Sequence, residues 1–317
     1  MKGWLRSMVR AAGAQVLLLG LVHGGLAGEM TSEEAGDVLD ETPFEASNIS
    51  YELETGASHV FGGDTEYSGD SAEVSGWAFD LQYVAIVPMG SAAYFRAGLG
   101  WDSYWFMGAG DLPVPPSLQE LNLVLGADVS LSDRWLMRIE VMPGVYSDFV
   151  DVGWEDVNAP MNMGFTYLVN DRLQWAFGFQ MNFMSDWPVV GGAGVRGQVS
   201  DYWTLNLMMP RPRIEYAAAD GLTLFAGCEF RGGSFRVAED FGEGMDREEL
   251  NGALIDYREY RTGAGVNWVA HRGDGLELSV DVQGGVAFGR EFEFHRTSVD
   301  LDSDPAPYAS IGAKAKF

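Results

Sequence analysis

From Tyr51 to the last residue, apolar and polar side chains alternate along the chain. Leu121, Leu123, Leu125, Ala127, Val129 and Leu131 share one parity, with Asn122, Gly126, Asp128 and Ser130 between them. Leu173, Trp175, Phe177, Phe179, Met181 and Phe183 stand in the same way against Gln174, Gly178, Gln180 and Asn182. Successive side chains of a strand point to opposite faces, so each run builds one apolar face and one polar or glycine face. Such runs occur at 51–61, 73–87, 92–106, 118–131, 135–147, 161–169, 173–183, 193–199, 203–209, 212–217, 222–236, 255–270, 276–288 and 308–317. They predict an all-β chain of about fourteen strands, with about twelve as the alternative.

The connections fall into two classes. Short ones at 88–91, 132–134, 170–172, 200–202, 219–221 and 272–275 each hold Gly, Pro, Asn or Asp, residues that suit turn backbone angles. Longer ones at 62–72, 107–117, 148–160, 184–192, 237–254 and 289–307 alternate with them. An up-and-down antiparallel transmembrane barrel with short periplasmic turns and long extracellular loops has this rhythm. One connection departs from it. Between the ninth and tenth runs, where a long loop is due, stands only Met209-Pro210-Arg211-Pro212, and its prolines cannot donate ladder hydrogen bonds.

A soluble sandwich also alternates, with its apolar faces packed on each other and loops of varied length at both ends, whereas a soluble barrel would leave too much Leu, Phe and Trp on one face in water. Here the polar face carries Asp80, Arg96, Asp128, Arg138, Glu140, Arg196, Glu229, Arg231, Glu277 and Asp281, expected to line the lumen. Trp77, Trp101, Tyr104, Trp105, Trp135, Tyr167, Trp203 and Trp268 lie near strand ends and, with Phe317, are expected to form the interfacial girdles.

Residues 1–28 combine basic Lys2, Arg6 and Arg10, an apolar stretch, and small Gly25 and Ala27 before Glu29, the layout of a cleaved secretory signal. Residues 29–48 read as an acidic, disordered periplasmic leader and 49–317 as the barrel. The formal charge of −26 repels nucleic acid, so no nucleic-acid partner is expected. Cys228 is the only cysteine, which excludes an intrachain disulfide, and its parity places it toward lipid.

The last strand alternates through Ala309, Ile311, Ala313 and Ala315 and ends on Phe317. This resembles the terminal signature of bacterial outer-membrane barrels, although Ala315 stands where a larger side chain is usual. The resemblance covers 51–317 and implies recognition by the outer-membrane assembly machinery. MMPRPRIEY (208–216) and FRGGSFRV (230–237) resemble segments of an uncharacterised family of predicted outer-membrane proteins, which implies no activity.

No G-x-S-x-G, H-E-x-x-H or phosphate loop is present, so neither a catalytic residue nor a cofactor is expected. His59 and His295 would approach each other if closure joins the first and last strands, leaving an acid/base or metal pair open. His271 reads as a solvated turn residue. Carboxylates crowd the long connections, as at Glu239, Asp240, Glu243, Asp246, Glu248 and Glu249, and suit divalent cations or lipopolysaccharide bridged by them. The expected function is a monomeric porin-like passive channel for small hydrophilic solutes in the bacterial outer membrane, with cation preference from its inward acids. The alternatives are a structural or adhesive barrel with a blocked lumen, a transporter of apolar compounds, and a barrel enzyme.

Overall fold

The computed structural model describes residues 49–317, so the expected signal 1–28 and leader 29–48 lie outside the described residues. The strands are β1 (Ser50–Tyr67), β2 (Asp70–Pro88), β3 (Ala93–Met107), β4 (Ser117–Ser132), β5 (Trp135–Val141), β6 (Gly144–Ser147), β7 (Val157–Asn158), β8 (Met161–Asn170), β9 (Leu173–Met181), β10 (Val189–Gln198), β11 (Trp203–Asn206), β12 (Arg213–Ala219), β13 (Leu222–Arg236), β14 (Leu254–Gly273), β15 (Leu276–Phe294), β16 (Asp300–Ser303) and β17 (Ala306–Lys316). Three pairs, β5/β6, β7/β8 and β16/β17, are single staves broken at Pro143, Pro160 and Pro305, because proline has no N–H for the ladder. The staves number fourteen, all antiparallel to their sequence neighbours, and β1 pairs with β17 from Glu52↔Lys316 to Val60↔Tyr308 to close the barrel.

Two of the expected long connections are strand instead. β1 and β2 continue past the apolar alternation to a tight turn at Ser68-Gly69, whose φ values of 52° and 98° suit a two-residue hairpin. β15 likewise runs on to Phe294 and pairs with β16. Above the lipid the outward positions become Glu66, Glu73, Glu291, Glu293 and Asp302, so the apolar signal ends although the ladder does not.

The outer wall is apolar over a defined height. On β2 the outward residues run Val87, Ala85, Tyr83, Leu81, Phe79 and Trp77 before Ser75 and Glu73. Ten residues span roughly 33 Å along a strand, or about 25 Å across a bilayer at a tilt near 40°, the height of an outer-membrane hydrocarbon band. Trp77, Trp105, Trp135, Trp203, Trp268 and Phe317 are exposed on this wall, and Trp101 and Tyr167 are partly so. Trp135 and Tyr167 pair at 4.9 Å, as do Trp203 and Tyr216. Tyr104 departs from the expected girdle. It shares parity with inward Asp102 and lies buried in the lumen against Tyr257 at 5.0 Å. A closed barrel with an apolar belt is one of the two structures that satisfy every backbone group in lipid, and it places this chain in the bacterial outer membrane.

Inside, the barrel has two storeys of different circumference. Toward the extracellular end, β6 stays paired with β4 but parts from β7 and reaches β13, where Ser147 pairs in parallel with Arg236. This contact closes a smaller ring of β6, β4, β3, β2, β1, β16, β15, β14 and β13. A ring of about this size is filled by its own side chains. Its interior holds Leu118, Phe235, Ile255, Phe292, Phe294 and Leu301, with Leu112, Val114 and Leu250 inserted from the connecting loops. Phe106 packs edge-on against Phe292 at 4.8 Å and Tyr257 at 5.0 Å. The lumen is therefore plugged by apolar core across its outer storey.

Candidate functional site

Beneath the plug the interior turns polar, and nearly all of the expected lumen charges meet there. Asp80 accepts from Arg231 at 3.0 Å. Arg96 lies fully buried among Glu140 at 2.9 Å, Glu52 at 3.4 Å and Asp128 at 3.6 Å, while Arg138 holds Asp128 through both oxygens at 2.6 and 2.9 Å. Arg196 meets Glu215 at 3.4 Å, and Glu229 meets Arg211 at 3.1 Å. Asp281 borders the same space, and Glu277 sits at the periplasmic rim with Arg272 at 2.7 Å. Inward acids are mostly matched by arginines.

Glu52, Asp80, Arg96, Arg211, Glu229, Arg231 and Asp281 line a chamber of about 280 Å³. Arg211 and Glu54 point into it, are 3.6 Å apart, and remain 44% and 43% exposed, so this storey holds water. Arg211 belongs to the short proline connection that interrupts the loop rhythm. From there its guanidinium reaches Glu229 on β13 and Glu54 on β1.

That connection also shapes the wall. β11 and β12 are short, and β10 pairs with β11 only at 196–198. β13 pairs with β12 only up to Gly227, beyond which Cys228 and Phe230 donate their N–H groups to Pro212 and Pro210. Higher up, 189–194 of β10 and 231–235 of β13 have no strand between them among the described residues. The edges of this notch are rich in glycine: Gly191, Gly192 and Gly194 on one side, Gly232 and Gly233 on the other. At its top, the Asn182 amide donates to the Ser234 hydroxyl at 3.4 Å and Ser185 to Asp256 at 3.2 Å. Sequence reasoning missed the notch, although the displaced prolines and the short eleventh strand were its signal.

Just inside the notch lies a second cavity of about 140 Å³, between β5, β8, β9 and β10, with Met208 and Met209 on its border. Its wall is small because Gly164, Gly178 and Gly192 stand in one cross-strand row and Thr166, Ala176 and Gly194 in the next.

The histidines do not assemble a site. His59 stacks on Trp77 at 4.3 Å on the outer wall. His295 lies instead at the extracellular end between Asp186 at 3.3 Å and Asp256 at 3.2 Å, so strand closure does not bring the two together. Burial works against charge on His295, but the hydrogen bond and charge of Asp256, then Asp186 and Glu293, raise its pKa above the ordinary value. His271 is exposed in its turn. No group of three or more His, Cys, Asp or Glu set to hold a metal occurs among the described residues.

Residues 112–301 match the family described as a domain of unknown function (DUF6268). No curated protein matches the chain. Among solved structures, the chain is similar to the deltaS2 mutant of the TodX monoaromatic hydrocarbon channel, with 10% identity over 89% of this chain and 93% of that one and a TM-score of 0.46. It is also similar to an outer membrane channel from Pseudomonas putida F1 (10% identity, 88% and 99% covered, TM-score 0.43) and to a Pseudomonas aeruginosa FadL homologue (10%, 87% and 91%, 0.36).

Proposed function

The chain belongs to the DUF6268 family, a domain of unknown function, and we propose that it is an outer-membrane channel with a lateral path. Small solutes of little charge reach the notch between β10 and β13 from the side, enter the lower storey and leave to the periplasm. One observation carries this reading: the axial route is filled by apolar core, whereas the wall lacks a strand beside the water-filled chamber. An ion or sugar taking the axial route would cross Phe106, Phe292 and Leu118 without water, at a cost of several kcal/mol for a charge. Geometry thus favours weakly polar solutes over the hydrophilic, cation-preferring porin expected from the inward acids, most of which are paired with arginines.

The test compares uptake of radiolabelled p-cresol by Gram-negative cells making the wild-type barrel or Gly191→Trp. An added Cβ at Gly191 comes no nearer than 3.6 Å to any atom, so the indole is accommodated at the notch edge. Wild type raises uptake and the variant removes most of the gain. A steady ohmic conductance in potassium chloride that Gly191→Trp leaves intact would instead restore an axial aqueous pore.

A further inference from the structure

Two of the glycines facing the inside of β8–β10, Gly164 and Gly192, are not there for the backbone. At Gly98, Gly126, Gly227 and Gly285 a Cβ would collide with a neighbouring carbonyl or main chain, which explains glycine there. At Gly192 it would meet nothing within 4 Å, at Gly164 only Phe177 O at 3.9 Å, and neither has a left-handed φ. What these positions keep free is the second cavity, whose 140 Å³ is about the size that holds one benzene ring.

Two buried polar groups on its lining lack partners. Asn162 is only 7% exposed, and neither its Nδ2 nor its Oδ1 is hydrogen-bonded among the described residues. It stands opposite Glu140 across the β5–β8 ladder. The Oε1 of Glu140 accepts from Arg96, whereas its Oε2 has no partner and the residue is 1% exposed. A buried amide left unsatisfied at both ends is costly, and its place on the wall of a ring-sized void points to a ligand that completes it. The nearby charges already offset one another, Arg96 and Arg138 against Glu140 and Asp128, so nothing there calls for a charged ligand.

We propose that this cavity is a binding site for a neutral single-ring compound bearing a hydroxyl group. The ring fills the space kept by Gly164 and Gly192 beside Met208. The hydroxyl accepts from Asn162 Nδ2 and donates to Asn162 Oδ1, as one group that is both donor and acceptor. The site lies just inside the notch and rests on the lateral-path reading for its purpose, but its occupancy is measurable without transport.

The experiment titrates purified protein in detergent with 4-fluorophenol, fluorobenzene and 4-fluorobenzoate, read by ¹⁹F NMR against empty micelles. Wild type is expected to bind 4-fluorophenol about tenfold more tightly than fluorobenzene, for one well-formed pair of hydrogen bonds, and not to bind the benzoate. Asn162→Leu keeps the volume, removes both unsatisfied atoms and should bring the two neutral probes to equal affinity. Gly192→Leu fills the cavity without a backbone clash and should abolish binding of both. Failure of wild type to bind 4-fluorophenol, survival of its preference in Asn162→Leu, or unchanged binding in Gly192→Leu each overturns the proposal. Intact binding combined with cresol uptake that Gly191→Trp leaves unchanged overturns the lateral path alone.

Discussion

Asp148 ties the β6–β13 contact beside the apolar plug of the outer storey. Asp148 follows β6 where it meets β13, and its N–H donates to Arg236 O at 3.0 Å. Its Oδ2 accepts from the Ala238 N–H at 2.8 Å and its Oδ1 from the Val150 N–H at 3.1 Å. Burial raises its pKa, against the pull of these N–H groups, and Ser117 anchors its carbonyl from β4 at 3.0 Å. Asp148→Ala keeps the main-chain bonds and removes both carboxylate acceptors. Ala238 is buried, so its N–H loses a charge-assisted bond outright, while Val150 is exposed and recovers water. Together these cost about 2–4 kcal/mol. The β6–β13 ladder is a single register pair, backed by Arg236 on the Glu155 carbonyl at 3.2 Å, so the part of this energy that falls on the ring contact raises the opened population by up to roughly 30- to 1,000-fold. In planar bilayers the wild type should carry almost no current, and Asp148→Ala should show intermittent conducting events and a lower urea midpoint. Asp148→Asn keeps one acceptor oxygen and should fall between. If Asp148→Ala loses stability yet stays as silent as wild type, the contact does not close the lumen and the two-storey account is wrong.

Two further outcomes follow from buried charge. Arg96→Met leaves Glu140 and Asp128 facing each other with less compensation and should cost about 3–5 kcal/mol in urea unfolding; Arg96→Met combined with Glu140→Met should recover more than half of it, and no recovery would mean the pair is not coupled. His295 clamps the 182–188 connection through Asp186, beside Asp256 and Glu293. Because its folded pKa lies above the ordinary 6.5, the clamp contributes fully below that value and is lost as pH rises through the folded pKa. Limited proteolysis within 182–188 should therefore accelerate from about pH 6 to pH 9 in wild type and hardly change over that range in His295→Gln.

The barrel was legible in the sequence because its cause is local. Alternation assigns each residue of β4 or β9 to lipid or lumen without reference to any other strand, and a sheet with one face in lipid must close because its open edges could not be hydrogen-bonded there. Even Tyr104 was decidable, since it shares parity with Arg96 and Asp102; nearness to a strand end was the weaker guide. What alternation cannot give is where a stave leaves the wall. Pro143 breaks the fifth stave, but nothing local tells whether the chain beyond it rejoins its neighbour or crosses to β13, and that choice separates an open fourteen-stave lumen from a filled smaller ring. The inward charges were half legible for the same reason: parity places Arg96 and Glu140 inside but does not reveal that they pair with each other. The two segments that stood out, MMPRPRIEY and FRGGSFRV, turn out to frame the notch, one as its foot and the other as its far edge. Prolines that end β11 and β12 early and glycines that leave the β13 edge bare act together, so the departure from regular barrel rhythm marks where the wall is built differently.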